Sequence, residues 1–170
     1  MEFDEFARRT LPGLVRYAVM LTGDRELAQD VVQEVMVRAH SRWRRIQRTE
    51  RPELYVKTMV THEYLSWRRR WAVRSITAVP DAQLDRSSGV DLAADPALRE
   101  ADRTGVWAQL GTLPRQQRAV LVLRYYEGLT DAEIAEVLDC RPATVRSYAT
   151  RALAALRLEA DTKPNAGVNR

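Results

Sequence analysis

The chain has 170 residues, 45% of them hydrophobic, and carries 27 Lys and Arg against 23 Asp and Glu for a formal net charge of +4. That length holds one ordinary domain or two small ones, and that apolar content excludes wholesale disorder. No apolar run approaches the ~18 residues that cross a bilayer, the opening Met-Glu-Phe-Asp-Glu is unlike a secretory signal, and the single Cys140 beside His40 and His62 leaves neither an internal disulfide nor the usual zinc ligand set.

Apolar residues at Phe3, Phe6, Leu14, Tyr17, Ala18 and Leu21 fall at helical spacing, with an interruption expected near Pro12 and Gly13. Thr22-Gly23-Asp24 closes that segment and opens the next, Asp24 being a natural N-cap. The second helix is expected to reach about Trp43. Its apolar stripe is Leu27, Val31, Val35 and Ala39, while Asp30, Gln33, Glu34 and Arg38 share another face. A third helix is expected from Pro52, a good first-turn residue, through Tyr55, Val56, Met59, Val60, Tyr64 and Trp67 to about Trp71.

Residues 75–96 contain no aromatics and are punctuated by Pro80, Ser87-Ser88-Gly89 and Asp95-Pro96, which predicts an acidic, flexible linker. Beyond it, Leu98, Ala101, Val106, Trp107 and Leu110 predict another helix. Pro114 opens the next, through Ala119, Val120, Leu123 and Tyr126 to Gly128, a helix-ending glycine. Thr130-Asp-Ala-Glu133 is a capping box ahead of Ile134, Ala135 and Leu138. Asp139-Cys140-Arg141 then makes a turn, and Pro142 opens a last helix with Val145, Ala149, Ala152, Leu153 and Leu156 on one side. With no convincing strand, the predicted fold is all-α. It has two small helical domains, 1–74 and 97–160, a linker at 75–96 and a tail at 161–170.

The charge is unevenly placed. Residues 38–74 carry eleven basic side chains against three acidic, and residues 141–170 carry six against two, whereas 1–37, 75–104 and 105–140 are each net acidic. Two separated basic blocks suggest two meetings with a polyanion. The competing account is a pair of solvated faces, and the density in 38–74 favours nucleic acid.

Helix, three-residue turn and helix at 130–156 is the layout of a helix-turn-helix. Ala135 permits a close helix crossing; Val145, Ala149 and Leu153 supply the inner side of the second helix. Thr144, Arg146, Ser147, Thr150 and Arg151 are left outward, where arginine can bind guanine bidentately and hydroxyls can meet phosphate or base edges. Helix pairs of this kind also occur in proteins that never touch DNA, but cap, small residue, short turn, N1 proline and basic outer side together favour DNA. In the first basic block, Tyr64, Trp67 and Trp71 recur at helical spacing beside Arg68, Arg69 and Arg70. Rings flanked by cations suit unstacked bases; the alternative, strongest for Tyr64, is that they belong to the core stripe. A duplex reader joined to a single-strand stacker acts where DNA is opened.

These segments resemble the bacterial RNA polymerase sigma factors of the sigma-70 family, extracytoplasmic-function (group 4) type, most closely the sigma-E-like actinobacterial subfamily. The resemblance rests on Leu21-Thr-Gly-Asp24, Ala28-Gln-Asp-Val-Val-Gln-Glu34, Trp43 and Tyr64-Leu-Ser-Trp-Arg-Arg-Arg70 in the first half. In the second half it rests on Leu113-Pro-Arg-Gln-Gln-Arg-Ala119, Leu123-Arg-Tyr-Tyr-Glu-Gly128, Glu133-Ile-Ala135 and Ala143-Thr-Val-Arg-Ser147. It implies that Asp30, Gln33 and Glu34 bind core RNA polymerase, whose clamp helices and flap are the contacts expected of the family. It implies that the region from about Ile46 to Trp71 recognises and opens the −10 promoter element, with His62, Tyr64, Trp67, Arg68, Arg69, Arg70 and Trp71 as its DNA-binding residues. Thr144, Arg146, Ser147, Thr150 and Arg151 would then read the −35 element.

No catalytic residue, metal or cofactor is implied, the place of action is cytoplasmic without membrane insertion, and family members are often held by an anti-sigma protein. Two positions depart from the family pattern: Gln29 stands where a glutamate is usual and His62 where an asparagine is usual, which bears on the −10 base preference. Cys140 is expected to pack as a small apolar residue rather than to sense redox state. A free-standing helix-turn-helix regulator is the rival, and it has no need of the Asp30/Gln33/Glu34 face. An enzyme lacks a phosphate-binding glycine loop or a metal cluster to work with.

Overall fold

Apolar residues three and four apart wind the first segment into helix α1, Phe3–Thr22, which continues through Pro12 without the expected interruption. Pro12 is exposed, so the intrahelical bond it removes is lost on the solvent side, where that loss costs least. Phe6, Leu14, Tyr17, Ala18 and Leu21 are buried as expected, and Val15, Val19 and Thr10 join them. The Thr10 hydroxyl gives its proton to the Phe6 carbonyl at 2.8 Å, which lets it enter the core satisfied. Gly23 ends α1 at a φ of 68°, the left-handed conformation that glycine adopts without penalty.

Asp24 caps α2, Arg25–Ser41, its carboxylate accepting from the Leu27 amide at 3.0 Å. Rather than reaching Trp43, α2 stops at Ser41 and a single-turn helix α3, Trp43–Ile46, follows. Trp43 is buried, its indole N–H donating to the Met1 carbonyl at 3.2 Å and its ring 4.7 Å from Phe6 and 5.5 Å from Phe3. Helix α4, Pro52–Arg74, packs on both α1 and α2 through Val56, Val60, Thr61 and Tyr64. The Thr61 hydroxyl donates to the Lys57 carbonyl at 3.0 Å, so the buried Tyr17 hydroxyl 2.7 Å away is the donor of their shared bond.

The computed structural model describes residues 1–74 and 105–162, with Pro96 and Arg99 between them, and gives the backbone alone at 67–74, 106–107 and 158–162. Apart from Pro96, the linker at 75–96 lies outside the described residues, as do Leu98 and Ala101 of the helix expected after it. The chain divides into two units, Met1–Thr104 and Gly105–Arg170.

In the second unit, α5 (Val106–Gly111) and α6 (Arg115–Leu121) lead into one π-helical turn at Val122–Tyr126, which the sequence pattern did not anticipate. Gly128 closes this segment at a φ of 70°, with the Leu129 amide donating to the Leu123 carbonyl at 3.0 Å. Helices α7, Asp131–Leu138, and α8, Pro142–Thr162, complete the unit, with α8 packed on α6 and α7. Leu123, Ile134, Val145, Ala149 and Ala152 are buried at its centre. No strand occurs among the described residues, and the fold is all-α.

Candidate nucleic-acid interface

The helix pair of the second unit is set by its caps. Thr130 accepts from the Glu133 amide at 3.3 Å while the Glu133 carboxylate accepts from the Thr130 amide at 2.9 Å, completing the capping box that starts α7. Thr130→Ala is expected to destabilise the second unit by about 1 kcal/mol. A thermal unfolding curve checks this, and an unmoved midpoint would assign the start of α7 to packing instead.

Asp139 ends α7 in the left-handed conformation at a φ of 51°. Its amide points to the Glu136 carbonyl at 3.4 Å, and that of Cys140 to Ala135 at 3.0 Å. This reversal is the turn of the helix-turn-helix. The Arg141 carbonyl accepts from Thr144 and Val145 to start α8, with Pro142 at its first position, where a missing N–H costs nothing. Arg124 in the π-helical turn binds Asp131 in the first turn of α7, and that pairing holds the guanidinium above its ordinary pKa.

On α8, Val145 and Ala149 face inward with Ala152, while Leu153 is half-buried. Arg146, Thr150 and Arg151 are exposed, and Thr144 and Ser147 are half-buried beside them. The helix therefore presents the five expected residues around a basic outer side. The Thr150 hydroxyl donates to the Arg146 carbonyl at 2.9 Å, so outward it offers acceptor lone pairs and a methyl rather than a proton. Cys140 is half-buried. Burial and the neighbouring Asp139 carboxylate push its thiol up, which keeps it protonated and a poor nucleophile, in keeping with a packing role.

In the first unit, Asp30, Gln33 and Glu34 are all exposed on α2, within four residues of one another and opposite its buried Val31, Val32 and Val35. His62 is exposed on α4. Tyr64 is not available to bases: only 4% of it is exposed, and it is a core residue of α4. The same three- and four-residue spacing that aligned it with Trp67 and Trp71 also aligns it with Val56 and Val60, and the latter pattern wins. The backbone of α4 carries Trp67, Arg68, Arg69, Arg70 and Trp71 one turn further on, and their side chains lie outside the described residues.

Sequence reasoning passed over two features of this unit. Arg42, Arg44, Arg45 and Arg48 are all exposed around α3, beside a cleft that His40 and Trp43 also line; the charge count of the block was their only signal. Arg38, taken as a member of the polar face, is bound to Glu63 of α4, which is only 6% exposed. No periodicity argument reaches a pair 25 residues apart. No helix among the described residues is long and apolar enough to cross a membrane.

Two family descriptions match the chain: Sigma-70 region 2 over residues 6–74 and Sigma-70, region 4 over residues 104–156. The RNA polymerase sigma-E factor of Streptomyces avermitilis is 34% identical over 163 residues, covering 96% of this chain and 87% of that protein. The ECF RNA polymerase sigma factor SigL of Mycobacterium tuberculosis is 34% identical over 85% of this chain and 81% of its own length. Among solved structures, the sigma factor RpoE of Bartonella quintana, in complex with the anti-sigma factor NepR, shares the fold. Its TM-score is 0.67 at 19% identity, covering 95% of this chain and 98% of that one. The two matched segments cover the acidic-faced helices α1–α4 and the helix-turn-helix, and the chain belongs to the sigma-70 family of RNA polymerase sigma factors, in its extracytoplasmic-function, sigma-E-like branch.

Proposed function

We propose that this sigma factor joins core RNA polymerase as a dissociable subunit and divides the work of transcription initiation between two domains. The first, residues 1–74, docks on the polymerase through Asp30, Gln33 and Glu34 and opens the −10 element with α4, where His62, Trp67, Arg68, Arg69, Arg70 and Trp71 meet DNA. The second, residues 97–160, binds the −35 element through Arg146 and Arg151 of α8, with Thr144, Ser147 and Thr150 beside them. The linker at 75–96 tethers the two and, being acidic, does not compete for DNA. The polymerase performs the chemistry and this chain contributes no catalytic residue, acting in the cytoplasm, where an anti-sigma protein is a further partner.

One observation carries the reading: an exposed acidic helix face and a basic helix-turn-helix occur in one chain, each inside a sigma-70 family match. A regulator acting alone has no use for the acidic face, and the comparisons give that alternative no support. Run-off transcription with purified core polymerase, this chain and a library of genomic promoters tests the proposal. Transcripts that appear only when the chain is added, from promoters sharing −35 and −10 elements, are expected. Binding of those promoters without any transcript would return the chain to the class of simple regulators.

A further inference from the structure

We propose that Glu63, buried on α4, sets the charge that α2 presents to the polymerase by keeping Arg38 from closing a hydrogen-bonded pair with Glu34. The inference rests on the polymerase-facing reading of Glu34 and names a positioning residue for that contact. Arg38 lies one helical turn beyond Glu34 and stands between two carboxylates. Its Nη2 is hydrogen-bonded to Glu63 Oε2, whereas its Nε lies 3.8 Å from Glu34 Oε1, beyond hydrogen-bond reach. That Nε is itself buried and has no hydrogen-bond partner among the described residues. The side chains of Glu63 and Glu34 are 7% and 51% exposed.

The burial difference decides which carboxylate holds the cation. Attraction to Glu63 acts through low-dielectric surroundings, while the attraction to Glu34 is weakened by water. Arg38 therefore leans toward α4, and the Glu34 carboxylate remains exposed and only loosely compensated. If Glu63 loses its charge, Glu34 is the remaining acidic partner of the guanidinium among the described residues. A glutamate four residues ahead of a basic residue is the favoured order for a helical ion pair. Closing that pair also gives the orphaned Nε–H an acceptor. The polymerase-facing side of α2 then has its loosely compensated Glu34 charge tied into a closed pair at the point where docking uses it, although nothing on that surface has been substituted.

The affinity of the full-length protein for purified core polymerase, measured at low and high salt, tests this. Glu63→Gln is expected to weaken association about 3–5-fold at low salt, with the difference shrinking as salt screens the surface charge. Arg38→Met combined with Glu63→Met removes clamp and cation together, and is expected to restore affinity to the unsubstituted level or above. Unchanged affinity of Glu63→Gln overturns the inference, as does a double variant as weak as the single, which would mark a merely structural pair. Should Glu63→Gln fail to fold, the double variant decides: affinity at or above the unsubstituted level supports the inference and lower affinity overturns it. Glu34→Lys is the separate arm, expected to weaken association more than Glu63→Gln does. Full binding there removes the polymerase-facing reading itself, whereas weakened Glu34→Lys beside unchanged Glu63→Gln removes the inference alone.

Discussion

Replacing Trp67 and Trp71 together by alanine is expected to leave binding to closed duplex intact and to abolish most promoter opening. The backbone of α4 remains helical through Arg74, so positions 67 and 71 are one turn apart, with Arg68, Arg69 and Arg70 between them. The arginines are retained in the double variant, and with them the phosphate contacts that supply affinity without regard to sequence. Each ring that stacks on an unpaired base is worth about 1–3 kcal/mol. Losing two costs about 2–6 kcal/mol, a factor of about 30 to 10⁴ in the open-complex equilibrium. Permanganate reactivity of thymines in the −10 element reads that equilibrium directly, beside a gel-shift titration on duplex. Normal reactivity in the double variant would exclude stacking by these rings. A thermal unfolding curve separates the remaining case, because emptying a core of two indoles costs about 3–5 kcal/mol each and would collapse the first unit altogether.

The fate of Tyr64 shows what periodicity can and cannot give. Hydrophobic spacing located every long helix and the capping box, because local rules set them: Asp24 caps α2, Thr130 caps α7, and Gly128 supplies a positive φ. It misjudged Pro12, because a proline on the exposed side of a helix gives up its intrahelical bond where water replaces it. It also gave Tyr64 two roles, because a core stripe and a stacking stripe on one helix have the same period. Only the packing of α4 against α1 and α2 breaks that tie.

The helix-turn-helix was more legible. Its outward residues are defined by exclusion from a core that Val145, Ala149 and Ala152 identify. What no local rule could supply is connection across the fold. The Arg38–Glu63 pair joins α2 to α4, and the Arg124–Asp131 pair joins the π-helical turn to α7. Each is a through-space choice among several charges of the right sign. Acidic and basic segments were readable as blocks, yet which carboxylate remains free to meet a partner depends on where the arginines are already committed.

Arg146→Ala is expected to cost about 1–3 kcal/mol at a cognate −35 element, roughly 5- to 150-fold in affinity. Arg146 is exposed in the first turns of α8, flanking the buried stripe of Val145 and Ala149. There a guanidinium can meet the O6 and N7 of a guanine together, a geometry that lysine cannot reproduce, so Arg146→Lys should recover little. Thr150→Ala should cost less, because the Thr150 hydroxyl is already committed to the Arg146 carbonyl.

The decisive measurement pairs the protein variant with the base. Substituting the contacted guanine should weaken the unsubstituted protein by the same factor and leave Arg146→Ala unaffected, as expected when both changes remove one interaction. Arg151, also exposed on α8, supplies the contrast. As a phosphate contact, its loss would weaken all sequences alike and reduce the magnitude of the salt slope by about one. If Arg146→Ala behaves that way instead, uniform across sequences and sensitive chiefly to salt, then Arg146 anchors the backbone and the base reader is another residue of α8.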